Sequence, residues 1–241
     1  MFCSTYSLWN NISSLGNRSM NVSKQQTART IGILGAGRVG TAVARQAVKA
    51  GYQVSIATAK PAEEIALLVE VIVPGAAAVS AADAAAADLV VVAVPLHKYA
   101  TLQPELLAGK TVIDAMNYWA PVDGAIDDFE KDDRTSSEVI QSFLAGAKVV
   151  KSLNHIGYHD LEADSREPGT AGRRALSLAG NHADAKALVA GFIDRLGYDP
   201  VDAGLLAAGR AFEPGTEIFA GSHTATTLHA ILVSAGYSTA A

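Results

Sequence analysis

Three glycines set out the first chemistry in this sequence. Gly35, Gly37 and Gly40 stand in the run Gly-Ala-Gly-Arg-Val-Gly, directly after the apolar stretch Thr30–Leu34 and directly before a helical pattern over residues 39–50. The pattern alone is weak, but a strand before it and a helix after it form the context in which such a turn binds the pyrophosphate of a dinucleotide. Gly35 permits the tight turn, Gly37 lets a phosphate approach the backbone, and Gly40 lets the helix lie close to the sheet. Ala36, Arg38 and Val39 complete the turn, and the helix start supplies free N–H groups and partial positive charge. An NAD site would carry an acid about 20 residues further on, to hold the ribose hydroxyls. Here the stretch reads Ala57, Thr58, Ala59, Lys60, with no acid until Glu63. A hydroxyl at Thr58 and an ammonium at Lys60 suit a 2′-phosphate, with Arg38 as a second cation, so the expected cofactor is NADP(H).

Further polar residues follow the other apolar runs. Val94, Pro95 and His97 come after one, Asn117, Tyr118 and Trp119 after the next, and Asn154, His155, Tyr158 and His159 after a third. In doubly wound sheets ligands occupy the crevice outside the carboxyl ends of the strands. Val94, Pro95 and His97 are therefore expected against the cofactor, and Pro95, Asn117 and Asn154 are expected to position the reacting groups. The aromatic loops would line a pocket for a flat ring beside the nicotinamide. No residue is assigned as acid, base or nucleophile. His97 has the alternative of simply starting a helix, and Trp119 that of a packing plug. His155 and His159 lack the spacing of a zinc motif, so no metal is expected. Arg173 and Arg174 either hold an anionic tail or stand solvated. The absence of a Gly-x-Ser-x-Gly or cysteine nucleophile context argues against covalent hydrolysis.

These residues need a scaffold, and the rest of the pattern supplies one. Strands are expected at Thr30–Leu34, Gln53–Ala57, weakly at 78–80, then at 89–94, Thr111–Asp114, 147–153, 175–179 and 200–203. Helices alternate with them: 39–50; one opened by Pro61 with Ile65, Leu68, Val69 and Ile72 as its apolar stripe; 81–86; one capped by Thr135 and Glu138 and running to about Leu144; and 183–196. Residues 121–134 read as a long acidic loop and 160–174 as a polar one. The expected fold is α/β, a Rossmann-type doubly wound and mainly parallel sheet with a smaller C-terminal α/β part. The division is 29–150 for the NADP-binding domain and 151–241 for the acceptor cleft. Residues 1–28 form a disordered extension, read as functionless; with no acid before Glu63 a transit peptide stays open, as does a natural start at Met20.

Composition narrows the class. With 241 residues, 49% of them hydrophobic and 18% charged, the chain has ample material for a core. A net charge of −5 gives no basic stripe for nucleic acid. Cys3 is the one cysteine, which fits a reducing, cytoplasmic setting. The most apolar stretch, 89–96, falls far short of the roughly 20 residues of a membrane span. The expected partners are small-molecule cofactors, with a homodimer left open.

The motifs in order resemble one family. Residues 31–40, 90–95, Val112 to Asp114 with Asn117, and Val149 to Lys151 with Asn154 are similar to the NADPH-dependent reductases of the deazaflavin coenzyme F420, as are 179–186 and 201–204. The likeness runs from about residue 30 to 215. It implies a Rossmann domain carrying NADP, a smaller C-terminal part closing a cleft, and hydride transfer between NADP(H) and F420. The alternatives are a reductase of a flavin, a ferric chelate or a small carbonyl or imine, and a non-catalytic NADP(H) sensor.

Overall fold

The computed structural model describes residues 28–131 and 133–237. Of the extension expected over 1–28, all but Ala28 lies outside the described residues, and Ala28 is buried. Among the described residues eight strands form one sheet: β1 (Thr30–Leu34), β2 (Gln53–Ala57), β3 (Ala76–Ala78), β4 (Leu89–Val92), β5 (Thr111–Asp114), β6 (Lys148–Lys151), β7 (Ala175–Gly180) and β8 (Asp199–Asp202). Their order is β3-β2-β1-β4-β5-β6-β7-β8. The first six run parallel, β7 joins β6 antiparallel, and β8 is parallel to β7. This is the doubly wound order, and the crevice at its switch point opens between β1 and β4.

The central strands explain themselves. β4 is Leu-Val-Val-Val, buried at every position, because helices cover both of its faces. On one face α1 (Arg38–Lys49), α2 (Ala62–Ile72) and the helix Ala183–Arg195 pack through Val43, Ala47, Val69, Val189, Phe192 and Ile193. On the other, α3 (Ala81–Ala85), α4 (Pro104–Leu107) and the helix Ser136–Phe143 cover Val90, Val92, Val112 and Val149. The helix Ala183–Arg195 thus shares a cluster with β1, and the division drawn at residue 150 falls inside β6.

Some elements differ from expectation. The α2 stripe is narrower: Ile65 and Val69 are buried, whereas Leu68 and Ile72 are exposed together with Leu67 and Val71. α2 packs beside β3, a short edge strand of three alanines with little surface to receive a second pair of large side chains. β3 itself sits two residues early, because its register pairs Ala76 to Ala78 with Val54 to Ile56. β4 ends at Val92, so Val94 and Pro95 have already left the sheet. The acidic loop carries two helical turns, Ala120–Asp123 and Asp127–Glu130, and the polar loop begins with another, Asp160–Ala163. Beyond β8 a 3-10 helix (Leu206–Phe212) and the helix Ala225–Ser234 close a third cluster around Phe212, Leu228 and Leu232.

Candidate dinucleotide site and adjoining cleft

The glycine turn joins β1 to α1 at the carboxyl edge of the sheet. Gly35 has φ +123°, and a Cβ there would lie 2.5 Å from the Ala93 carbonyl oxygen. A Cβ on Gly40 would lie 2.0 Å from the Gly35 oxygen, so the close approach of helix to strand excludes any side chain. Gly37 is different: its φ of −78° suits any residue and, among the described residues, nothing lies within 4 Å of a Cβ built on it. The fold therefore accounts for the first and third glycines but not the second, and the open space before Gly37 fits an approaching pyrophosphate. Gly37 also caps α1 without a side-chain bond, and no acid sits in the first turn. The N–H groups of that turn are thus left to an anion.

Ala36 and Val39 pack partly buried against the core below the turn. Arg38 reaches the loop after β6, where its guanidinium carbon stands 5.6 Å from the centre of the Tyr158 ring and Nη1 is 3.4 Å from the phenol oxygen. At the end of β2 the Lys60 N–H donates to Thr58 Oγ1 (3.1 Å). The Lys60 ammonium is exposed and 3.9 Å from Glu64, a loose pair.

After β4, Val94 packs on the second cluster and Pro95 opens a 3-10 turn, Leu96–Thr101. His97 is tied at 2.9 Å to Asp123 of the acidic segment. Burial works to raise the Asp123 pKa, but bonds from the His97 ring and the Trp119 and His97 amides outweigh it and hold the carboxyl below its ordinary range. Tyr99 and Tyr118 both pack on Phe129, and Tyr99 donates to Asp128 (2.5 Å). The segment expected as a plain acidic loop is thereby docked on the cleft's rim. Trp119, half exposed, plugs no core position.

β5 and β6 end side by side on Asp114 and Lys151, paired in register and fully buried. The Lys151 ammonium lies 3.4 Å from Asp114 Oδ2 and also donates to the Met116 carbonyl. Ser137 and the Met116 amide donate to the same carboxylate at 2.5 and 3.0 Å. Immediately beyond, Leu153 holds φ +64°, a left-handed conformation that costs a non-glycine residue on the order of 1–2 kcal/mol. Asn154 follows it, 5% exposed, and meets Asn117: Asn117 Nδ2 donates to the Asn154 carbonyl (2.7 Å), and Asn154 Nδ2 donates to Asn117 Oδ1 (3.0 Å) and to the Phe212 carbonyl (2.9 Å). His155 is buried behind them. Burial first, then the charges of Arg174, Lys151 and His223, pushes its pKa down to about 3, so the ring is neutral near pH 7.

Asn117 and Asn154 are brought together, whereas Arg38 meets Tyr158 of the loop after β6. Arg173 and Arg174 are neither solvated nor open to an anionic tail. Both are buried, Arg173 against Asp194 and Asp199 and Arg174 against Asp164 and the Gly221 carbonyl, so they fasten the 160–174 segment. Asp114, Ser137, Lys151, Leu153 and Asp123 have no assigned part in the sequence reading. A signal did exist for two of them: a lone charge ending each of two apolar runs, Val112 to Asp114 and Val149 to Lys151, marks a buried pair. A cavity of about 290 Å³ lies at the far end of α1, between Lys49, Arg166 and Arg195, away from all of these groups. Among the described residues no cluster of three potential metal ligands occurs, and no helix is long and apolar enough to cross a membrane.

Fold and turn together define a dinucleotide-binding α/β protein. Residues 30–118 match the family model described as NADP oxidoreductase, coenzyme F420-dependent. A hypothetical protein of Sinorhizobium meliloti superposes with a TM-score of 0.69 and 31% identity, over 84% of this chain and 97% of that one. An Arthrobacter protein named for F420-dependent NADP reduction gives a TM-score of 0.64 and 29% identity, over 76% and 88%. Metalloreductase STEAP3 of Rattus norvegicus is 27% identical over 190 residues, 77% of this chain but only 36% of the relative's length. The chain belongs to this family of NADP-dependent oxidoreductases.

Proposed function

We propose that this chain transfers hydride between NADP(H) and a second planar ring, with coenzyme F420 as the first-choice partner. The open space at Gly37 carries the nucleotide half, since no contact among the described residues requires a glycine there. The turn from Gly35 to Gly40 would hold the pyrophosphate, with Thr58, Lys60 and Arg38 around the 2′-phosphate and Val94, Pro95 and His97 along the nicotinamide side. Bound NADPH supplies the hydride. Asn117 and Asn154 orient the acceptor ring, and the docked segment 118–130 narrows water's access; a reaction of this kind needs geometry more than acid–base help. Support for F420 comes from the family description and from the name of the Arthrobacter relative. The likeness to a metalloreductase favours a second reading, a flavin or ferric chelate as acceptor.

NADPH oxidation measured against F420, free flavins, ferric chelates and small carbonyls separates these. Turnover with F420 well above the rest supports the first reading. Turnover confined to flavin or ferric chelates replaces it with the second. Tight NADPH binding with no acceptor reduced would make the chain a sensor.

A further inference from the structure

We infer that His155 is a positioning residue: fixed as its Nδ1–H tautomer by the Ser177 backbone amide, it sets the orientation of the Asn154 carboxamide and, through it, that of Asn117. The inference rests on the reading of Asn117 and Asn154 as the polar wall of the acceptor cleft.

The Ser177 N–H donates to His155 Nε2 at 3.0 Å, and a backbone amide has nothing else to offer. Nε2 is therefore bare, and a neutral imidazole then carries its proton on Nδ1. Nδ1 lies 3.2 Å from Asn154 Oδ1, which must accept. That turns Asn154 Nδ2 toward Asn117 Oδ1 and the Phe212 carbonyl, both acceptors. Asn117 in turn must aim Nδ2 at the Asn154 carbonyl. Flipping either amide would set oxygen against oxygen at about 3 Å in a buried place, where an unpaired polar group is costly. Phe212 packs on the imidazole at 5.0 Å and the Leu153 backbone is held left-handed, so neither ring nor chain has room to relax. One Asn117 amide hydrogen has no partner among the described residues. The half-buried residue thus offers a donor, suited to a ring bearing a carbonyl oxygen or ring nitrogen at its edge.

Two variants separate positioning from simple satisfaction of Ser177. His155→Asn keeps a donor where Nδ1 stands but cannot reach Ser177. His155→Gln places an acceptor at Ser177 but none of its atoms at Asn154. Positioning predicts turnover within about threefold of wild type for His155→Asn and a loss of about tenfold or more for His155→Gln, the amount that one misplaced hydrogen bond costs a transition state. NADPH affinity stays unchanged in both. The reverse order, or equal losses, overturns the proposal. Wild-type protein labelled with ¹⁵N-histidine gives an independent reading. A ring protonated on Nδ1, with Asn154 side-chain amide signals that shift in His155→Gln, supports the relay; an Nε2–H tautomer sinks it. If no acceptor in the panel is reduced, the cleft reading has failed, and the NMR result still decides the relay.

Discussion

The two halves of the candidate site are built on opposite plans. The glycine turn works by leaving side chains out: its groups are backbone N–H donors, contiguous in sequence, and a ligand fits where Gly37 leaves space. The wall formed by Asp114, Asn117, Lys151, Asn154 and His155 works by filling space with polar side chains whose partners are each other. Apart from the adjacent Asn154 and His155 and the Met116 amide beside Asp114, the bonded groups lie 22 to 58 residues apart in the chain. A site of the first kind tolerates a missing ligand, since its open groups face solvent. In the second kind each missing member costs stability, because the group left behind would be a buried donor, acceptor or charge.

The contrast sharpens most at Lys151. Lys151→Met should leave the Asp114 carboxylate buried without its cation and cost about 3–5 kcal/mol of stability in urea unfolding. The double variant Asp114→Asn with Lys151→Met should recover much of that loss. A single variant as stable as wild type would show that the wall is not cooperative.

Next come two glycines of one turn, expected to fail differently. Gly40→Ala forces a methyl into the Gly35 carbonyl and should lower stability by roughly 1–3 kcal/mol. Gly37→Val meets no clash and should lower stability less than Gly40→Ala, by no more than the cost of a poorer N-cap, while weakening NADPH binding by about tenfold or more. Equal NADPH titrations for Gly37→Val and wild type would remove the nucleotide from this turn.

At the rim of the nucleotide half, Lys60 lies in a weak exposed pair with Glu64, which leaves its charge available. Charge-assisted bonds to a 2′-phosphate contribute roughly 1.5–3 kcal/mol each, so NADPH should be preferred over NADH by about ten- to several-hundredfold. Lys60→Glu should largely erase that preference, and added salt should weaken NADPH binding more than NADH binding. A wild type that binds both equally makes Thr58 and Lys60 bystanders.

The smallest effect tests the wall's rule from the other side. Among the described residues Ser177 Oγ is buried without a hydrogen-bond partner. Ser177→Ala removes that unpaired hydroxyl and should leave stability unchanged or raised by up to about 1 kcal/mol, with the Ser177 amide bond to His155 intact. A clear loss would mean that the hydroxyl has a partner that matters.

The same contrast explains what could be read in advance. β1, the glycine turn, α1 and β2 follow from local pattern, because each residue's role is set within a few positions of it. The Asn117–Asn154 pairing was within reach only as two polar residues after neighbouring strands; which amide faces which depends on Ser177 and Phe212. Arg173 and Arg174 were misplaced for a related reason. An arginine pair reads as surface until Asp164, Asp194 and Asp199 converge on it from other elements. The α2 stripe was overdrawn because periodicity reports an apolar face but not how much sheet is there to receive it.

The cluster under β1 sets a schedule for the nascent chain. Ile31 and Ile33 leave the ribosome well before the surface that covers them, which includes Val189, Phe192 and Ile193, and Gln46 closes on the Leu196 carbonyl 150 residues downstream. At translation rates of roughly 5–20 residues per second, that apolar face waits on the order of ten seconds for its cover. The face beneath the dinucleotide turn is completed only when the helix Ala183–Arg195 emerges, so a chaperone's window on that face stays open until near residue 196.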